Sequence, residues 1–350
     1  MLYNLVDFND LTITEWEELC ELAFDILSNP EKYSEKCKGK ILAALFYEPS
    51  TRTKFSFQTA MIKLGGSVIG FSGTEEISVS KGESLKDTIK IVSNYADVTV
   101  IRHEKEGVAF AASLYSDIPV INAGDGGHLH PTQTMTDLFA IKKLKGRVTN
   151  LNIGICGDLL YGRTVHSLLK ALSLYSENNF YFISTPELSV PEYFTHELKK
   201  GNTIKICNII EECIENLDII YMTRIQKERF ASDEEYERQK SVYILDKEKL
   251  EKAKSDLTIL HPLPRNDEIA TEVDDDARAQ YFKQAELGLY IRMALLIKLL
   301  ENTSRISVAT SPATVNSNKK CKNDKCVTKV ETGLPNINNG IVCSYCETLL

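Results

Sequence analysis

The sequence predicts an α/β protein made of two doubly wound parallel-sheet domains, followed by a small C-terminal module that contains four cysteines. Helical and strand patterns alternate through most of the chain, and this alternation favours parallel sheets over an all-α or all-β fold. The short apolar runs fall into two series, and polar, glycine or proline residues bound each run. A chain of 350 residues that is 43% hydrophobic can bury a core in each domain.

The two series of apolar runs give the expected strands. The first comprises residues 41–46, 67–71, 98–101 and 118–121, and the second comprises 151–156, 180–183, 204–207, 217–222 and 257–260. Thr14 and Glu17 form a capping-box pattern that predicts the start of a first helix. A helical pattern over residues 137–143 follows a glycine-rich turn, and a long one over residues 277–300 is expected to cross between the domains.

These elements divide the chain into domains. We expect a first domain over residues 1–134, completed by a helix over 286–302, and a second over 135–285. Residues 303–320 are rich in Ser, Thr and Asn, as is typical of a linker, and the cysteine-containing module covers 321–350.

Charge and hydropathy exclude several classes of function. A net charge of −8 argues against a protein that coats nucleic acid, because phosphate backbones require a basic surface. No stretch approaches the roughly 20 apolar residues that a membrane span needs. The N-terminal residues lack the basic and apolar regions of a secretory signal, so the sequence predicts a cytosolic protein without nucleic-acid or membrane partners.

Nine cysteines without an export signal disfavour a disulfide framework. Five of them stand singly in apolar or helical runs and are expected in the core: Cys20, Cys37, Cys156, Cys207 and Cys213. The other four form two pairs, Cys321 with Cys326 and Cys343 with Cys346, a spacing suited to a structural zinc ion with four thiolate ligands. Unliganded or disulfide-linked cysteines remain an alternative, as does nucleic-acid binding through nearby lysines.

A turn after the first strand has the composition of a phosphate site. Ser50, Thr51 and Thr53 supply hydroxyl groups and backbone N–H groups at a predicted helix start, and Arg52 supplies a planar set of donors. The spacing of a nucleotide-binding P-loop is absent. An ordinary helix cap followed by a surface arginine is the competing interpretation.

Donors also follow other predicted strands. Arg102 and His103, Arg163, Arg224 with Gln226, and the segment 261–265 each come shortly after a strand. Because ligands of open α/β sheets bind beyond the carboxyl ends of the strands, these segments are expected to deliver donors to one region.

Two further segments are less decisive. His130 and Gln133 lie in or beside a glycine-rich turn, where a histidine can donate a hydrogen bond to a carbonyl oxygen. His128 and His166 are interpreted as packing or capping residues. Ser78 and Lys81 lie in a polar segment that fits either an exposed loop or an anion partner.

Together these segments resemble the aspartate carbamoyltransferase family of catalytic chains over about residues 1 to 302. The motifs that carry the resemblance are Ser50-Thr51-Arg52-Thr53, Ser78 with Lys81-Gly82-Glu83, Arg102-His103, His130-Pro131-Thr132-Gln133, Gly162-Arg163-Thr164-Val165-His166-Ser167, Met222-Thr223-Arg224-Ile225-Gln226 and His261-Pro262-Leu263-Pro264-Arg265.

The resemblance implies an enzyme that transfers the carbamoyl group of carbamoyl phosphate to L-aspartate, an early step of pyrimidine synthesis, with no cofactor for catalysis. It implies one domain for each substrate and a homotrimer, in which Ser78 and Lys81 reach into the neighbouring subunit's site. Higher assembly of the trimers stays open. The implied catalytic residues are Arg52, Thr53, Lys81, Arg102 and His130.

The same resemblance assigns the binding residues. Those for carbamoyl phosphate are Ser50, Thr51, Arg52, Thr53, Ser78, Lys81, Arg102, His130, Gln133, Pro262 and Leu263. Those for aspartate are Lys81, Arg163, Arg224 and Gln226. Another acceptor such as ornithine and a catalytically inactive homologue are the alternatives, and the aspartate-type forms at 224–226 and 261–265 argue against ornithine.

The cysteine-containing segment resembles the zinc-binding domain of the regulatory chain of the same family. It differs from that pattern because fewer residues separate Cys326 from Cys343 and because no nucleotide-binding domain precedes it. The resemblance therefore gives no support to allosteric control by nucleotides. We expect this module to pack on its own catalytic subunit or to link trimers.

Overall fold

The structure is a computed structural model that describes residues 2–73, 81–198, 201–225, 234, 236, 243–302 and 319–350. It contains two compact units, one formed by residues Met1–Thr132 and Leu289–Leu350 and the other by Gln133–Gly288. Each unit contains one parallel sheet. No helix in the described ranges is both long enough and apolar enough to cross a membrane.

The first unit has a four-stranded sheet with the order β2-β1-β3-β4. All of its strand pairs are parallel. The strands are β1 (Ile41–Phe46), β2 (Ser67–Ser72), β3 (Val98–His103) and β4 (Val120–Asp125). The helices are α1 (Ile13–Ser28), α2 (Thr51–Lys63), α3 (Leu85–Ser93), α4 (Val108–Tyr115) and the beginning of α5 (Pro131–Lys145).

The second unit has a five-stranded parallel sheet with the order β7-β6-β5-β8-β9. Its strands are β5 (Asn152–Cys156), β6 (Asn179–Ile183), β7 (Thr203–Cys207), β8 (Ile219–Met222) and β9 (Thr258–Leu260). Its helices are α6 (Arg163–Leu172), α7 (Glu192–Leu198), α8 (Lys247–Leu250) and the first part of α9 (Tyr281–Asn302). The two parallel-sheet α/β domains predicted from the sequence are therefore confirmed.

Short 3₁₀ segments complete the connections, at Phe8–Asp10, Pro30–Tyr33, Pro186–Leu188, Ile210–Glu212, Ile214–Asn216, Thr271–Asp275 and Val327–Lys329. The five single cysteines are all buried, as expected of small core residues. Arg292 on α9 is also buried, and it donates hydrogen bonds to the Ser56 hydroxyl (2.9 Å) and to the Thr132 carbonyl (3.3 Å). It thereby ties α9 to α2 and to the start of α5.

The predicted capping box at Thr14 and Glu17 is wrong by two positions. The N-cap of α1 is Thr12, whose hydroxyl accepts a hydrogen bond from the Glu15 N–H (3.2 Å), while the Glu15 carboxylate accepts from the Thr12 N–H (3.0 Å). Both positions offer threonine followed three residues later by glutamate, so the local pattern alone does not choose between them.

Three other element boundaries differ from the prediction. The long helix begins at Tyr281 rather than at residue 277, because Ala279 lies beside β9 and the Gln280 N–H donates to the Ile259 carbonyl (3.0 Å). Strand β4 begins at Val120 rather than at residue 118, since Pro119 has no N–H to give to a sheet. Helix α5 extends beyond the predicted range 137–143 and has Pro131 at its first position.

Candidate active site

The carboxyl ends of β1 and β3 bring an arginine next to the predicted phosphate turn. Phe46 and Arg102 are partners across these strands, and the Tyr47 N–H donates to the Arg102 carbonyl (2.9 Å). The Arg102 guanidinium is buried and lies 3.2 Å, Nε to Oε2, from the carboxylate of Glu48. The charge of Arg102 therefore lies at the base of the turn that leads into α2.

Gly124, near the end of β4, brings Arg102 and His130 together. A Cβ atom built on Gly124 would lie 3.1 Å from Arg102 Nη1 and 3.4 Å from His130 Cδ2. The backbone of Gly124 has φ of 116°, a conformation that residues with side chains rarely adopt. The missing side chain therefore leaves space that a guanidinium and an imidazole border from two sides.

The predicted phosphate turn lies at the N-terminus of α2. Ser50 is the N-cap residue, and within the described part of the chain its hydroxyl makes no capping hydrogen bond to the first turn. Thr53 is buried, whereas Thr51 and Arg52 are exposed. The first N–H groups of a helix attract anions, so this helix start can hold an anion.

Asp125 organises the glycine-rich turn that precedes His130. Its carboxylate accepts hydrogen bonds from the N–H groups of Gly107 (2.7 Å) and Leu129 (3.0 Å). It also lies 3.1 Å from Nδ1 of His128. Burial alone would lower the pKa of His128, but hydrogen bonds and charges from Asp125 and Glu347 raise that pKa to about 10. His128 is thus a cationic packing residue, in line with its structural interpretation.

Two of the predicted site residues lie outside the described residues, and a third lies at the edge of one of these gaps. Lys81 is exposed and lies just before α3. Ser78 and Gln226 fall in the ranges 74–80 and 226–233, which lie outside the described residues.

In the second unit, the ends of β5 and β8 place two predicted arginines at one edge of the sheet. Cys156 and Met222 are strand partners, and the Thr223 N–H donates to the Cys156 carbonyl (2.9 Å). Arg224 follows this point directly, and Arg163 is the first residue of α6, which begins after the loop that leaves β5. Both arginines are half-buried.

A buried histidine shapes the turn after β9. His261 Nδ1 accepts a hydrogen bond from the Leu263 N–H (2.7 Å), so Nε2 carries the proton that it shares with Glu268 (2.8 Å). Burial would raise the pKa of Glu268, but the hydrogen bond from His261 lowers it below its ordinary value. Leu263 has φ of 55° and is followed by a cis Leu263–Pro264 peptide bond. The imidazole thus fixes the backbone that presents the carbonyls of Pro262 and Leu263.

One predicted donor has a structural partner instead. Arg265 forms a bidentate ion pair with Asp274 and also donates to the Tyr281 hydroxyl (2.9 Å). Gln133 is half-buried at the start of α5, and its amide also has a structural partner, the carboxylate of Asp137 (2.7 Å). Among the histidines, His166 Nε2 contacts the Leu159 carbonyl at 2.9 Å and its ring packs on Phe194, in agreement with a packing role.

The four C-terminal cysteines come together in one buried cluster. Their Sγ atoms all lie within 4.8 Å of one another, with 3.5 Å between Cys321 and Cys346 and 3.9 Å between Cys326 and Cys343. These separations exceed the roughly 2.05 Å of a disulfide bond. A tetrahedral zinc ion with Zn–S bonds of about 2.3 Å requires sulfur atoms about 3.8 Å apart, so the four thiols fit such an ion.

The sequence did not identify the acidic residues that orient these groups. Asp125, Asp137 and Glu268 are buried carboxylates, and most of their partners come from distant parts of the chain or from turns whose shape is tertiary. Two local signals were available. Gln133 and Asp137 are four positions apart on one helix and share a hydrogen bond. Asp125 lies inside Gly124-Asp125-Gly126-Gly127, where a carboxylate among glycines commonly accepts hydrogen bonds from nearby N–H groups.

Comparison with known proteins places the chain in a family. The model described as "Aspartate/ornithine carbamoyltransferase, carbamoyl-P binding domain" matches residues 3–143, and the one described as "Aspartate/ornithine carbamoyltransferase, Asp/Orn binding domain" matches 149–299. The fold is thus that of a carbamoyltransferase. Within that class, the chain belongs to the family of aspartate carbamoyltransferase catalytic subunits.

The relatives that support this assignment cover most of the chain. The catalytic subunit from Clostridium botulinum (strain Eklund 17B) is 58% identical over 299 residues, which are 85% of this chain and 97% of that protein. The subunit from Clostridium novyi is also 58% identical, over 298 residues.

Solved structures agree. The catalytic subunit of M. jannaschii aspartate transcarbamoylase has a TM-score of 0.83 and 45% identity, covering 87% of this chain and 100% of that one. The enzyme from Trypanosoma cruzi in complex with carbamoyl phosphate and aspartate has a TM-score of 0.79 and 35% identity, covering 85% and 95%. The cysteine cluster lies beyond residue 299, where the second family match ends.

Proposed function

We propose that this chain transfers the carbamoyl group of carbamoyl phosphate to the amino group of L-aspartate, giving N-carbamoyl-L-aspartate and phosphate. The observation that carries the proposal is the pairing of Arg102 and His130 around Gly124. A cationic donor and an imidazole that border one space are what a developing carbonyl oxyanion requires. The same unit presents the N-terminus of α2 to an anion.

The first unit supplies the groups for carbamoyl phosphate. Ser50, Thr51, Arg52 and Thr53 surround the phosphate at the start of α2, where the helix dipole and backbone N–H groups favour negative charge. Arg102 lies between this turn and the carbonyl oxygen of the substrate, and His130 donates to the same oxygen. We assign carbamoyl phosphate to a domain of residues 1–134 completed by 286–302.

The reaction follows from this arrangement. The uncharged amine of aspartate attacks the carbonyl carbon, and a new C–N bond forms while the carbonyl oxygen gains negative charge. Thr53, Arg102 and His130 stabilise that oxygen. The C–O bond to phosphate then breaks, phosphate leaves with the bonding electrons, and the amine nitrogen loses a proton. Holding two anionic reactants together in this way lowers a barrier by at most about 7 to 11 kcal/mol.

The remaining binding roles belong to the second unit. Gln133 and the carbonyls of Pro262 and Leu263 hold the carbamoyl nitrogen, and the turn fixed by His261 supports this role. Arg163, Arg224 and Gln226 hold the two carboxylates of aspartate within a domain of residues 135–285. A planar guanidinium binds a carboxylate through two parallel hydrogen bonds, which suits both arginines.

The assembly is part of the same proposal. We assign a homotrimer in which Ser78 and Lys81 complete the site of a neighbouring subunit, with Lys81 contacting both substrates. The exposed position of Lys81 supports this role, because an exposed amine is accessible to a neighbouring subunit. A cytosolic location completes the assignment.

The four-cysteine cluster is proposed to bind one structural zinc ion through Cys321, Cys326, Cys343 and Cys346. The sulfur geometry supports this ligand set. A module with so small a core depends on its metal for most of its folding free energy. Such a metal holds the module together and takes no part in carbamoyl transfer.

The function is tested by incubating the purified protein with carbamoyl phosphate and either aspartate or ornithine, and by measuring the carbamoylated product. Product with aspartate supports the proposal, whereas product with ornithine alone or with neither acceptor overturns it. Arg52→Ala should lower kcat/KM by on the order of 100-fold, since it removes a charged contact to the phosphate. An exposed lysine distant from the site, Lys36→Ala, serves as the control.

A further inference from the structure

The C-terminal module, residues 319–350, is attached to the loop that follows β3. The Glu106 N–H donates to the Lys325 carbonyl (3.0 Å), and the Val327 N–H donates to the Glu106 carbonyl (2.9 Å). The Asn323 side chain donates to the Glu106 carboxylate (2.6 Å). Glu106 therefore pairs with the module through its backbone and its side chain.

A second contact reaches the turn that follows β4. The Glu347 carboxylate lies 3.6 Å from Nε2 of His128, whose other nitrogen lies 3.1 Å from Asp125. His128 is only 12% exposed and lies two positions before His130 in the chain. The module thus contacts the turn that carries a residue assigned to the carbonyl oxygen.

A third contact reaches the start of α3. The Glu331 carboxylate accepts the N–H of Leu85 through both of its oxygens, at 3.1 and 3.2 Å. Leu85 is the first residue of α3, and Lys81 lies shortly before it. Glu331 therefore fixes the point at which the Lys81 segment joins the rest of the unit.

Two of the three contact points, the loop after β3 and the turn after β4, are also connected to each other. Asp125 accepts from Gly107 in the loop after β3 and from Leu129 in the turn after β4. A Cβ atom on Gly107 would lie 2.5 Å from the Tyr345 carbonyl, so the module backbone approaches this loop as closely as glycine permits. All three contacts fall in segments that follow carboxyl ends of strands, as do the groups assigned to carbamoyl phosphate.

We propose that the C-terminal module is a positioning element for the carbamoyl phosphate site, and that Glu347 and Glu331 are its positioning residues. This inference rests on the proposed function of that site. Glu347 acts through His128 and Asp125 on the turn that carries His130, and Glu331 acts on the segment that carries Lys81. Neither carboxylate contacts a substrate.

The decisive variant is Glu347→Ala, which removes the contact to His128 and leaves every cysteine in place. We expect its zinc content and melting temperature to match those of the unaltered chain. Hydrogen exchange of residues 124–130 should become faster, and kcat/KM for carbamoyl phosphate should fall about five- to tenfold, because small displacements of catalytic groups are costly. Glu347→Gln, which keeps a polar side chain of the same length beside Nε2 of His128 but loses its charge, should recover only part of this loss.

The matched control is Asp324→Ala, because Asp324 is an exposed carboxylate of the same module. It should leave both exchange and kinetics unchanged. A second variant, Glu331→Ala, should speed exchange around residues 81–88 and leave 124–130 as in the unaltered chain. Faster exchange at 81–88 alone would indicate a local effect of Glu331, whereas faster exchange in both segments would indicate that the whole module is destabilised.

The outcomes distinguish the two proposals. An unaltered chain that carbamoylates no aspartate contradicts the proposed function, and the exchange measurement still tests the positioning role. Unchanged exchange of residues 124–130 in Glu347→Ala overturns the positioning role whether or not the chain is active. Faster exchange with unchanged kcat/KM for carbamoyl phosphate in an active enzyme also overturns it, because the module would then be only a stabilising attachment.

Discussion

The side-chain amide of Gln133 donates a hydrogen bond of 2.7 Å to the buried carboxylate of Asp137. This contact uses the Nε2 group of Gln133, so Oε1 is the atom that can accept an N–H of the carbamoyl group. Asp137 also accepts hydrogen bonds from the Tyr221 hydroxyl (2.8 Å) and from the Gln284 amide (2.6 Å). Tyr221 on β8 and Gln284 on α9 thus orient the Asp137 carboxylate, and this carboxylate in turn orients the side chain of Gln133.

Asp137→Asn should therefore impair both stability and the use of carbamoyl phosphate. The Asp137 carboxylate accepts three hydrogen bonds, whereas the asparagine amide would turn an N–H donor toward at least one of these donors. One unsatisfied buried group costs about 1 to 3 kcal/mol of unfolding free energy. We expect a higher KM for carbamoyl phosphate and a lower melting temperature. Tyr221→Phe, which removes one donor, should cost about 1 kcal/mol of unfolding free energy with a smaller change in KM. A purely structural Asp137 would show the lower melting temperature with an unchanged KM.

The positions of the strands were largely predictable from the sequence, because buried parallel strands are continuous apolar runs such as Ile41–Phe46. The errors at element boundaries have local and tertiary causes: two equivalent capping patterns at the start of α1, Pro119 before β4, and a tertiary pairing before α9. Residue 279 has a helical pattern in its neighbourhood, but Ala279 lies beside β9, and no local signal shows that pairing.

Some features of the candidate active site were likewise predictable from the sequence, and others were not. The position of Arg102 at a strand end followed from the sequence, because Arg102 stands directly after an apolar run, whereas His130 was placed only in a glycine-rich turn. Their convergence on Gly124 did not follow from the sequence, since a glycine in a turn has many explanations and only the fold shows which atoms border it. The partnership of Arg265 with Asp274 was likewise hidden, and Arg265 had been expected among the donors at the sheet edge.

Gly124→Ala should disable the site without unfolding the protein. Its Cβ atom would lie 3.1 Å from Arg102 Nη1, so the guanidinium must shift from the position in which it is proposed to contact the carbonyl oxygen of carbamoyl phosphate. We expect kcat/KM for carbamoyl phosphate to fall on the order of 100-fold, about 3 kcal/mol of transition-state stabilisation. Steady-state kinetics give the fall in activity, and thermal melting gives the cost to folding.

Gly146→Ala is the control for that prediction. Gly146 also has a positive φ, 71°, but a Cβ atom there would have no neighbour within 4 Å among the described residues. It should therefore show the stability cost of backbone strain with normal kinetics. Equal activity losses in the two variants would show that backbone strain, rather than contact with Arg102 and His130, explains the defect.

The low pKa of His103 predicts how the free energy of unfolding changes with pH. Burial, helped by the charge of Lys105, lowers the pKa of His103 from 6.5 to about 4, and its Nδ1 accepts the Lys105 N–H (2.8 Å). Above pH 6.5 the ring is neutral in both the folded and the unfolded chain, so protonation of His103 does not reduce the free energy of unfolding. As the pH falls from about 6.5 to about 4, the unfolded chain binds the proton first, which removes up to about 3 kcal/mol of stability.

His103→Asn tests this dependence, because asparagine keeps an acceptor near the Lys105 N–H and does not titrate. Urea unfolding between pH 7 and pH 4.5 should show the unaltered chain losing about 2 to 3 kcal/mol more than the variant. His196→Asn, at an exposed histidine, is the control and should follow the unaltered chain. Parallel pH curves for all three proteins would contradict the prediction.

The cysteine cluster predicts the metal content of the protein and the consequence of removing the metal. Sulfur separations of 3.5 and 3.9 Å suit one ion held by four thiolates, so elemental analysis of dialysed protein should give about one zinc per chain. Cys343→Ser should lose most of that zinc, because the four ligands of a structural site act together. Cys207→Ser, at a buried cysteine of the second unit, should retain it. A Cys343→Ser protein that holds zinc as tightly as the unaltered chain would remove the basis for this ligand set.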